Sequence, residues 1–265
     1  MTVAEPPRDS RPQLSLVMPC YNEEAVIGYT IPRLTGAFAG AGYELEIVAV
    51  DNGSTDRTGE ILHKLAAEHP GIRCHRVPVN QGYGHGLLSG LPLCSGRWIG
   101  FICADGQVDA EDVVRLYEAV AASDGHVLGK LRRRFRMDGL RRKVVSTVYN
   151  LFVRLLWPRL ASLDVNGTPK LLPREVILRM DLKSGGWLLD PEIMIKAHYM
   201  GVKVLEFNVF ARMRGGGTSH VRVETIWEFI RSLLVFRFSS RWRRDFQRAA
   251  RNAGAGREVP PGSSD

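Results

Sequence analysis

A carboxylate and an amide two residues apart, Asp105 and Gln107, follow a short apolar run at residues 98–102. The run predicts a buried strand, and Asp109 before Ala110 predicts a helix start. Oxygen side chains just past the carboxyl end of a strand suit a hard divalent cation or a polar substrate. The alternative is a tight strand–helix turn in which Asp-Gly serves only the backbone geometry. Taken alone, these residues leave the two interpretations evenly balanced.

Three further strand–helix units precede this stretch. Their apolar runs predict strands at 14–18, 45–50 and Ile72–Val77, and the intervening segments predict helices at 25–38 and Thr58–Glu68. A fourth helix is expected at 110–122. We expect Asn22 to cap the first helix and Asp56 the second. Four such units imply an α/β fold with a mostly parallel sheet and helices on both faces, so the polar loops after strands one, two and four share one edge.

A glycine-rich stretch, residues 80–86, follows the third predicted strand. The chain has neither a P-loop lysine motif nor G-x-G-x-x-G after its first strand. Alternating glycines alone are a weak signal, and we favour a structural loop over a phosphate cradle.

The second half of the chain is more basic. Residues 130–143 carry clustered Lys and Arg and lead into a predicted amphipathic helix at 144–160. A second such helix, 224–238, precedes Arg-Trp-Arg-Arg at 241–244. Amphipathic helices with basic ends suit a membrane interface. Packing of the first helix on the sheet is the simpler reading of its pattern. Asp190, before Pro191, is interpreted mainly as the N-cap of a helix that ends near Met200.

Composition narrows the function classes further. The net charge of +8 suits polyanions such as phosphates and anionic lipid, while aromatic residues interleaved with basic ones are too few to favour nucleic acid. The four cysteines lack CxxC spacing, which favours reduced thiols in a cytoplasmic protein. No apolar run is long enough to cross a bilayer, and no signal core precedes residue 13. We expect residues 1–12 and 251–265 to be disordered.

Six short motifs, spaced from residue 19 to residue 219, resemble those of family 2 glycosyltransferases with the GT-A fold. The resemblance is greatest to dolichyl- and polyprenyl-phosphate sugar synthases. The motifs are Pro19-x-Tyr-Asn-Glu23, Asp51-Asn-Gly-Ser-Thr-Asp56, Asn80-x-Gly82, Ala104-Asp-Gly-Gln107, the stretch from Asp164 to Lys170, and Arg214-x-x-Gly217-x-Ser219. Each motif is weak alone, and their order and spacing make the signal specific.

The resemblance implies a role for each matched position. A nucleotide-sugar donor would be bound by Pro19, Tyr21, Glu23, Asp51, Asn80 and Asp105. Asp105 and Gln107 would hold Mg²⁺ or Mn²⁺ against the donor diphosphate, and oxygen ligands suit these ions. The acceptor's lipid phosphate would be gripped by Arg142, Ser146, Arg214 and Ser219, because a guanidinium fork matches phosphate oxygens. Asp105, Gln107 and Arg214 would carry catalysis.

Three positions depart from the family pattern. Cys103 stands where family members usually carry the first Asp of Asp-x-Asp, and a thiol is a poor ligand for Mg²⁺. Asp109 is a candidate substitute. Asn52 replaces the usual second Asp after strand two, and His220 replaces the Lys expected after Ser219.

The resemblance therefore implies an inverting transferase that moves a sugar from a GDP- or UDP-sugar to a polyprenyl phosphate. We expect it to be cytoplasmic and peripherally bound to an anionic membrane surface. The expected glycosyltransferase domain spans residues 13–222, with an acceptor- and membrane-facing insertion at 130–162, and a basic amphipathic helix at 223–250 follows it. There are two alternatives. One is transfer to a soluble or small-molecule hydroxyl acceptor, which Asp190 could assist, and the other is a non-catalytic membrane-binding module on a degenerate scaffold.

Overall fold

The computed structural model of the protein describes residues 11–123, 125–135, 140–160, 162, 164–210 and 223–239, and gives only the backbone of residues 133–135, 140–146 and 223–229. Residues 1–10 and 240–265, which include most of the expected terminal tails, lie outside this range, and so does the segment 211–222. Pro12 already contacts the fold, since its carbonyl accepts a hydrogen bond from the Arg97 amide (3.0 Å).

Within the described residues, seven strands form one sheet in the order β3-β2-β1-β4-β6-β5-β7. The strands are β1 (Leu14–Cys20), β2 (Leu45–Asn52), β3 (Ile72–Val77), β4 (Trp98–Phe101), β5 (Val127–Phe135), β6 (Lys170–Pro173) and β7 (Lys203–Phe210). β6 runs antiparallel to its neighbours β4 and β5, and the other pairings are parallel. The predicted mostly parallel α/β sheet is confirmed.

Helices cover both faces of the sheet. They are α1 (Ile27–Gly40), α2 (Thr58–Glu68), α3 (Tyr83–Gly90), α4 (Ala110–Ala121), α5 (Leu140–Leu156), α6 (Arg174–Arg179), α7 (Leu189–Tyr199) and α8 (Val223–Phe238). Successive side chains of a strand point to opposite faces, so both faces of these apolar strands must be buried. In β1, Leu16 and Met18 belong to the core under α1, α2 and α4, whereas Val17 belongs to the core on the opposite face.

The glycine-rich stretch is not a loop throughout, because α3 begins within it at Tyr83. The glycines of this helix allow its backbone to pack closely against neighbouring strands. A Cβ on Gly90 would lie 2.6 Å from Val17 and 2.8 Å from Val50, and a Cβ on Gly86 would lie 3.1 Å from the Pro19 side chain. The short glycine-bearing helix therefore lies directly on strands β1 and β2. This supports the structural interpretation of these glycines.

The basic segment begins inside the sheet. Lys130 lies in β5 and is fully buried, although it belongs to the basic run that was expected to face the acceptor and the membrane. A fully buried lysine needs polar partners, and the sequence pattern does not reveal them. The helix that follows starts at Leu140, four residues earlier than predicted.

Candidate active site

The predicted donor residues collect where the strand order reverses. From β1 the chain moves outward to β2 and β3, then returns to place β4 on the other side of β1. Ligands of open α/β sheets bind at such a switch point, outside the carboxyl ends of the strands. Here β1 carries Pro19 near its end and is followed by Tyr21. Asp51 lies at the end of β2, and Asp105 and Gln107 follow β4.

The segment after β1 is held by the loop after β2. The Thr55 amide donates to Asn22 Oδ1 (2.9 Å), the Asn22 amide donates to Ser54 Oγ (3.2 Å), and the Glu23 amide donates to Thr58 Oγ1 (2.8 Å). Asn22 has a left-handed backbone, with φ at 54°. It does not cap α1 as predicted, because α1 begins only at Ile27 and the Asn22 side chain serves the neighbouring loop. Tyr21 and Glu23 are thus fixed beside the end of β2.

Asp51 is almost fully buried at the end of β2. Its Oδ1 accepts a hydrogen bond from the Ser54 amide (3.0 Å), and its Oδ2 lies 3.8 Å from Arg76 Nε. A Cβ on Gly59 would lie 2.8 Å from Oδ2, so α2 can approach the carboxylate only because residue 59 is glycine. The turn after β2 therefore presents an oriented carboxylate, which suits recognition of a hydroxyl or a base N–H.

Asn52, the departure from the usual Asp, holds the loop after β3. Its Nδ2 donates to Asn80 Oδ1 (3.3 Å) and to the Gly82 carbonyl (3.1 Å), and Asn80 Oδ1 also accepts from the Gly82 amide (2.8 Å). A carboxylate at position 52 has no N–H to donate and could not make these contacts. The replacement thus fits the loop, and it brings Asn80 to the same edge as Asp51.

The elbow after β4 is a compact turn. The Gln107 amide donates to Asp105 Oδ1 (3.2 Å), and Gly106 between them has a φ of 65°. Such an Asx turn orders the carboxylate before any ligand binds. Gly106 also faces α1, since a Cβ there would lie 3.1 Å from Thr30 Oγ1. Gln107 is buried, while Asp105 is half-buried.

The two other candidate metal ligands of the elbow have contacts with residues outside it. Cys103 Sγ lies 3.6 Å from Thr168 Oγ1, in the loop that precedes β6. Asp109 lies 3.7 Å from Arg33 of α1 and is the N-cap residue of α4, although its side chain makes no capping hydrogen bond. Asp109 is thus engaged by a guanidinium, which argues against the suggestion that it replaces the missing carboxylate.

The residues present fit a single divalent ion. Within the part of the chain that the structure describes, no three His, Cys, Asp or Glu side chains form a metal cluster. Mg²⁺ and similar hard ions often bind through one or two carboxylates and complete their coordination with waters and substrate phosphates. Asp105 and Gln107, as an oriented carboxylate and an amide oxygen, match that mode.

A buried group of charges lies on the β6 side of the elbow. Lys170 Nζ is 2.5 Å from Asp190 Oδ1, and both side chains are shielded from solvent. Burial raises the pKa of Asp190, and the Lys170 charge opposes this rise. The sequence predicted that Asp190 caps α7, and this prediction is wrong. The cap position is Leu188, and Asp190 lies inside the first turn, where its carboxylate pairs with β6.

Lys130 is the second buried cation of this group. Its Nζ donates to Ser162 Oγ (2.9 Å) and to the carbonyl of Asp164, and it lies 3.2 Å from Glu206 Oε2. Burial and the neighbouring Lys170 charge lower the pKa of Lys130 to about 8. This cluster was not predicted. The available signal was Lys170, which directly precedes Leu171 and Leu172.

The predicted acceptor residues are placed only in part. Arg142 and Ser146 lie one turn apart in α5, where the structure describes their backbone only. Arg214 and Ser219 fall outside the described residues, and so does His220. Their roles toward the lipid phosphate remain predictions.

Comparison with known proteins places the chain in a family. The profile of Glycosyl transferase family 2 matches residues 15–179. A dolichol-phosphate mannosyltransferase of Pyrococcus furiosus is 28% identical over 229 residues, which cover 83% of this chain and 62% of the relative. An undecaprenyl-phosphate 4-deoxy-4-formamido-L-arabinose transferase of Edwardsiella ictaluri is 34% identical over 53% of this chain and 43% of its own length. The chain thus spans less than two thirds of these relatives.

Solved structures show the same fold. Glucosyl-3-phosphoglycerate synthase of Mycobacterium tuberculosis, in complex with Mn²⁺, UDP and glucosyl-3-phosphoglycerate, superimposes with a TM-score of 0.64 at 20% identity. The match covers 85% of this chain and 80% of that one. The seven-stranded mixed sheet with helices on both faces is the GT-A fold. The chain belongs to glycosyltransferase family 2.

Proposed function

We propose that this protein transfers a sugar from a GDP- or UDP-sugar to a polyprenyl or dolichyl phosphate at a membrane surface, with inversion at the anomeric carbon. The observation that carries the proposal is the meeting of the Asp51 turn and the Asp105–Gln107 elbow at the switch point between β1 and β4. The Asp51 turn suits a nucleoside, and the Asp105–Gln107 elbow suits a metal-bound diphosphate.

The donor is expected to lie along the carboxyl edge of the sheet. Tyr21 and Asp51 would contact the nucleoside, with Pro19, Glu23 and Asn80 lining its surroundings. Asp105 and Gln107 would hold the divalent ion, which when bound neutralises charge on the nucleoside diphosphate leaving group. The Asx turn within the elbow lets the protein orient its ligands without reorganising them during the reaction.

The buried ion pair favours a phosphate acceptor over a hydroxyl. A hydroxyl acceptor usually needs a general base, and a competent base must reach the proton it removes. Asp190, which the sequence offered for that role, is paired with Lys170 at 2.5 Å and is shielded from solvent. A phosphate acceptor is already an anionic nucleophile, so transfer to it needs positioning and charge neutralisation rather than a base.

Two amphipathic helices offer a surface for the membrane. In α5, Val153 is buried, whereas Val148, Leu151 and Leu155 are 60–74% exposed along the opposite side. A helix usually buries its apolar residues, so a second, exposed apolar stripe marks an interaction surface.

Helix α8 packs beside the end of α5 and extends this surface. Arg237 Nε donates to the Leu156 carbonyl (3.0 Å), and the rings of Phe236 and Trp157 lie 6.4 Å apart. Val235 and Phe238 of α8 are 60% and 75% exposed. Among the residues with described positions, no helix has the length and apolarity needed to cross a bilayer. The exposed stripes are therefore proposed to lie in the lipid headgroup region, where flanking arginines attract anionic lipid.

Two binding measurements test the proposal. With Mn²⁺ present, GDP or UDP should raise the thermal unfolding midpoint, because a ligand that binds only the folded state stabilises it. Liposomes containing anionic lipid should carry the protein upward in a flotation gradient at low salt, and neutral liposomes less so. No thermal shift with either nucleotide would refute the donor assignment. Nucleotide binding without flotation would favour a soluble acceptor.

A further inference from the structure

A segment that the sequence analysis did not single out, residues 181–188, is held firmly by α7. We refer to it as the Trp187 loop. The carboxylate of Glu192 accepts hydrogen bonds from the amides of Lys183 (3.2 Å) and Ser184 (2.8 Å). Lys196 Nζ bonds both Glu192 Oε1 (2.5 Å) and the carbonyl of Asp181 (2.8 Å). Glu192 and Lys196 are both buried, so the base of the loop is fixed by a buried, charge-assisted network.

The far side of the same loop lies on α3. The His85 amide donates to the Gly185 carbonyl (2.6 Å). A Cβ on Gly84 would lie 2.3 Å from the Ser184 carbonyl oxygen and 2.5 Å from that of Gly186. Backbone can approach backbone this closely only where the side chain is absent. The glycines of the 80–86 stretch thus allow the Trp187 loop to pack directly against the backbone of α3.

The loop presents a pair of stacked aromatic rings. Trp187 and Tyr83 have ring centroids 5.3 Å apart and planes inclined by 13°. Trp187 is nonetheless 40% exposed. Such exposure is unusual for a large apolar side chain whose loop is held by α3 and α7. An ordered, partly exposed tryptophan offers a large contact area, and it has only two side-chain torsions to immobilise.

The Trp187 loop also spans the edge where the donor is proposed to bind. At one end, Tyr83 directly follows Gly82, whose carbonyl accepts from Asn52 at the end of β2. At the other end, Asp190 pairs with Lys170. Lys170 stands opposite Phe101 in the sheet, two residues before Cys103 and the elbow. The loop therefore bridges the nucleoside side and the metal side of the site.

We propose that Trp187, supported by Tyr83, stacks against the hexosyl ring of the nucleotide sugar and so sets specificity for the donor sugar. The proposal rests on the proposed function. A pyranose ring has an apolar C–H face, and binding sites for such ligands combine an aromatic surface with a few polar groups. Asn80, which is exposed and whose side chain accepts a hydrogen bond from Asn52, supplies a polar group beside this platform.

The test compares a nucleotide sugar with its own nucleoside diphosphate. Calorimetric titrations in Mn²⁺ use GDP-mannose against GDP and UDP-glucose against UDP, with the wild type, Trp187→Leu and Trp187→Phe. Trp187→Leu should weaken binding of the nucleotide sugar about tenfold, the equivalent of losing one good aromatic contact. Binding of the nucleoside diphosphate should stay within about twofold, and Trp187→Phe should retain most of the sugar-dependent affinity.

Tyr199→Ala is the matched control, since Tyr199 is an exposed aromatic at the opposite end of α7 and should change neither affinity. Unchanged affinity for the nucleotide sugar in Trp187→Leu would overturn the inference. An equal loss of affinity for the nucleotide sugar and the nucleoside diphosphate would also overturn it, because the Trp187 ring would then contact the nucleotide. Failure of the proposed function is distinguishable, as the wild type would then bind no nucleoside diphosphate, and the inference would fail with it.

Discussion

Lys170 and Asp190 form a buried ion pair with 2.5 Å between Nζ and Oδ1. The pair joins β6 to the first turn of α7, and α7 carries the network that fixes the Trp187 loop. Removing one charge from a buried pair is costly because the other is left without compensation. The pair therefore links the stability of the fold to the geometry of the site.

Lys170→Met should lower the free energy of unfolding by about 3–5 kcal/mol, because Asp190 would remain buried without its cation. The double variant Lys170→Met/Asp190→Leu should recover most of that loss, since a well-packed apolar pair costs no charge desolvation. Urea denaturation of the wild type and both variants measures these differences. A Lys170→Met protein as stable as the wild type would contradict the described pair.

Lys130 should make stability depend on pH in the alkaline range. Its pKa is about 8 in the folded protein and 10.5 as an unperturbed lysine. Between these values the unfolded chain binds more protons, so the free energy of unfolding should rise with pH. The full shift corresponds to roughly 3 kcal/mol. Below pH 8, Lys130 is charged in the folded protein, and its burial beside Lys170, Asp164 and Glu206 lowers the free energy of unfolding by the full amount.

The measurement is the stability difference between the wild type and Lys130→Met at several pH values. Other titrating groups contribute to both proteins and largely cancel. The difference should shift in favour of the wild type as pH rises from about 8 to 10.5. A constant difference across this window would show that Lys130 titrates like an exposed lysine.

Cys103→Asp should strengthen metal-dependent nucleotide binding. A carboxylate oxygen suits Mg²⁺ and Mn²⁺, whereas a thiol does not suit Mg²⁺. With Mg²⁺ present, the variant should bind GDP or UDP more tightly than the wild type, as measured by calorimetry. Cys103→Ser is the control for removing the thiol and should lack the gain. Equal affinity of Cys103→Asp and wild type would show that position 103 points away from the ion.

The exposed stripe of α5 should contribute to membrane binding. Replacing Leu151 and Leu155 by Gln should reduce flotation with anionic liposomes while leaving thermal stability near the wild-type value, because both side chains are largely exposed. Leu178→Gln is the control, since Leu178 of α6 is an exposed leucine (49%) outside the α5 stripe. Equal loss in the control and the α5 variant would assign the effect to general surface apolarity.

Much of the fold was predictable because its signals are local. β3 and α2 have the predicted bounds, and the first residues of β1, β2, β4 and α4 match as well. The polar residues after β1, β2 and β4 could be placed together because parallel strands share one carboxyl edge. The four cysteines are free, as their spacing indicated.

The wrong predictions concern residues whose partners are set by tertiary contacts. Asn22 has the chemistry of a helix cap but hydrogen-bonds the neighbouring loop at Thr55. Asp190 precedes a proline, as a helix cap often does, but it lies inside the first turn of α7 and pairs with Lys170, which is distant in sequence. Lys130 belongs to a basic run, yet its place in β5 buries it. A composition-based argument cannot find such partners, since each lies 20 residues or more away along the chain.

Asp105 is central to the account, because the Asx turn with Gln107 presents it for the divalent ion. Asp105→Asn preserves the shape of the turn but removes the charge that suits a hard cation. Asp109→Asn is the matched control within the same elbow, since Asp109 faces Arg33 instead.

The most direct test is transfer of radiolabelled sugar from GDP-mannose or UDP-glucose to undecaprenyl phosphate in detergent or liposomes with Mn²⁺. The account predicts labelled lipid with the wild type and with Asp109→Asn, and a loss of at least about a hundredfold with Asp105→Asn, as for removal of an electrostatic stabiliser. Full activity in Asp105→Asn would contradict the assigned site. Transfer to water-soluble acceptors alone, with none to the lipid phosphate, would contradict the proposed function.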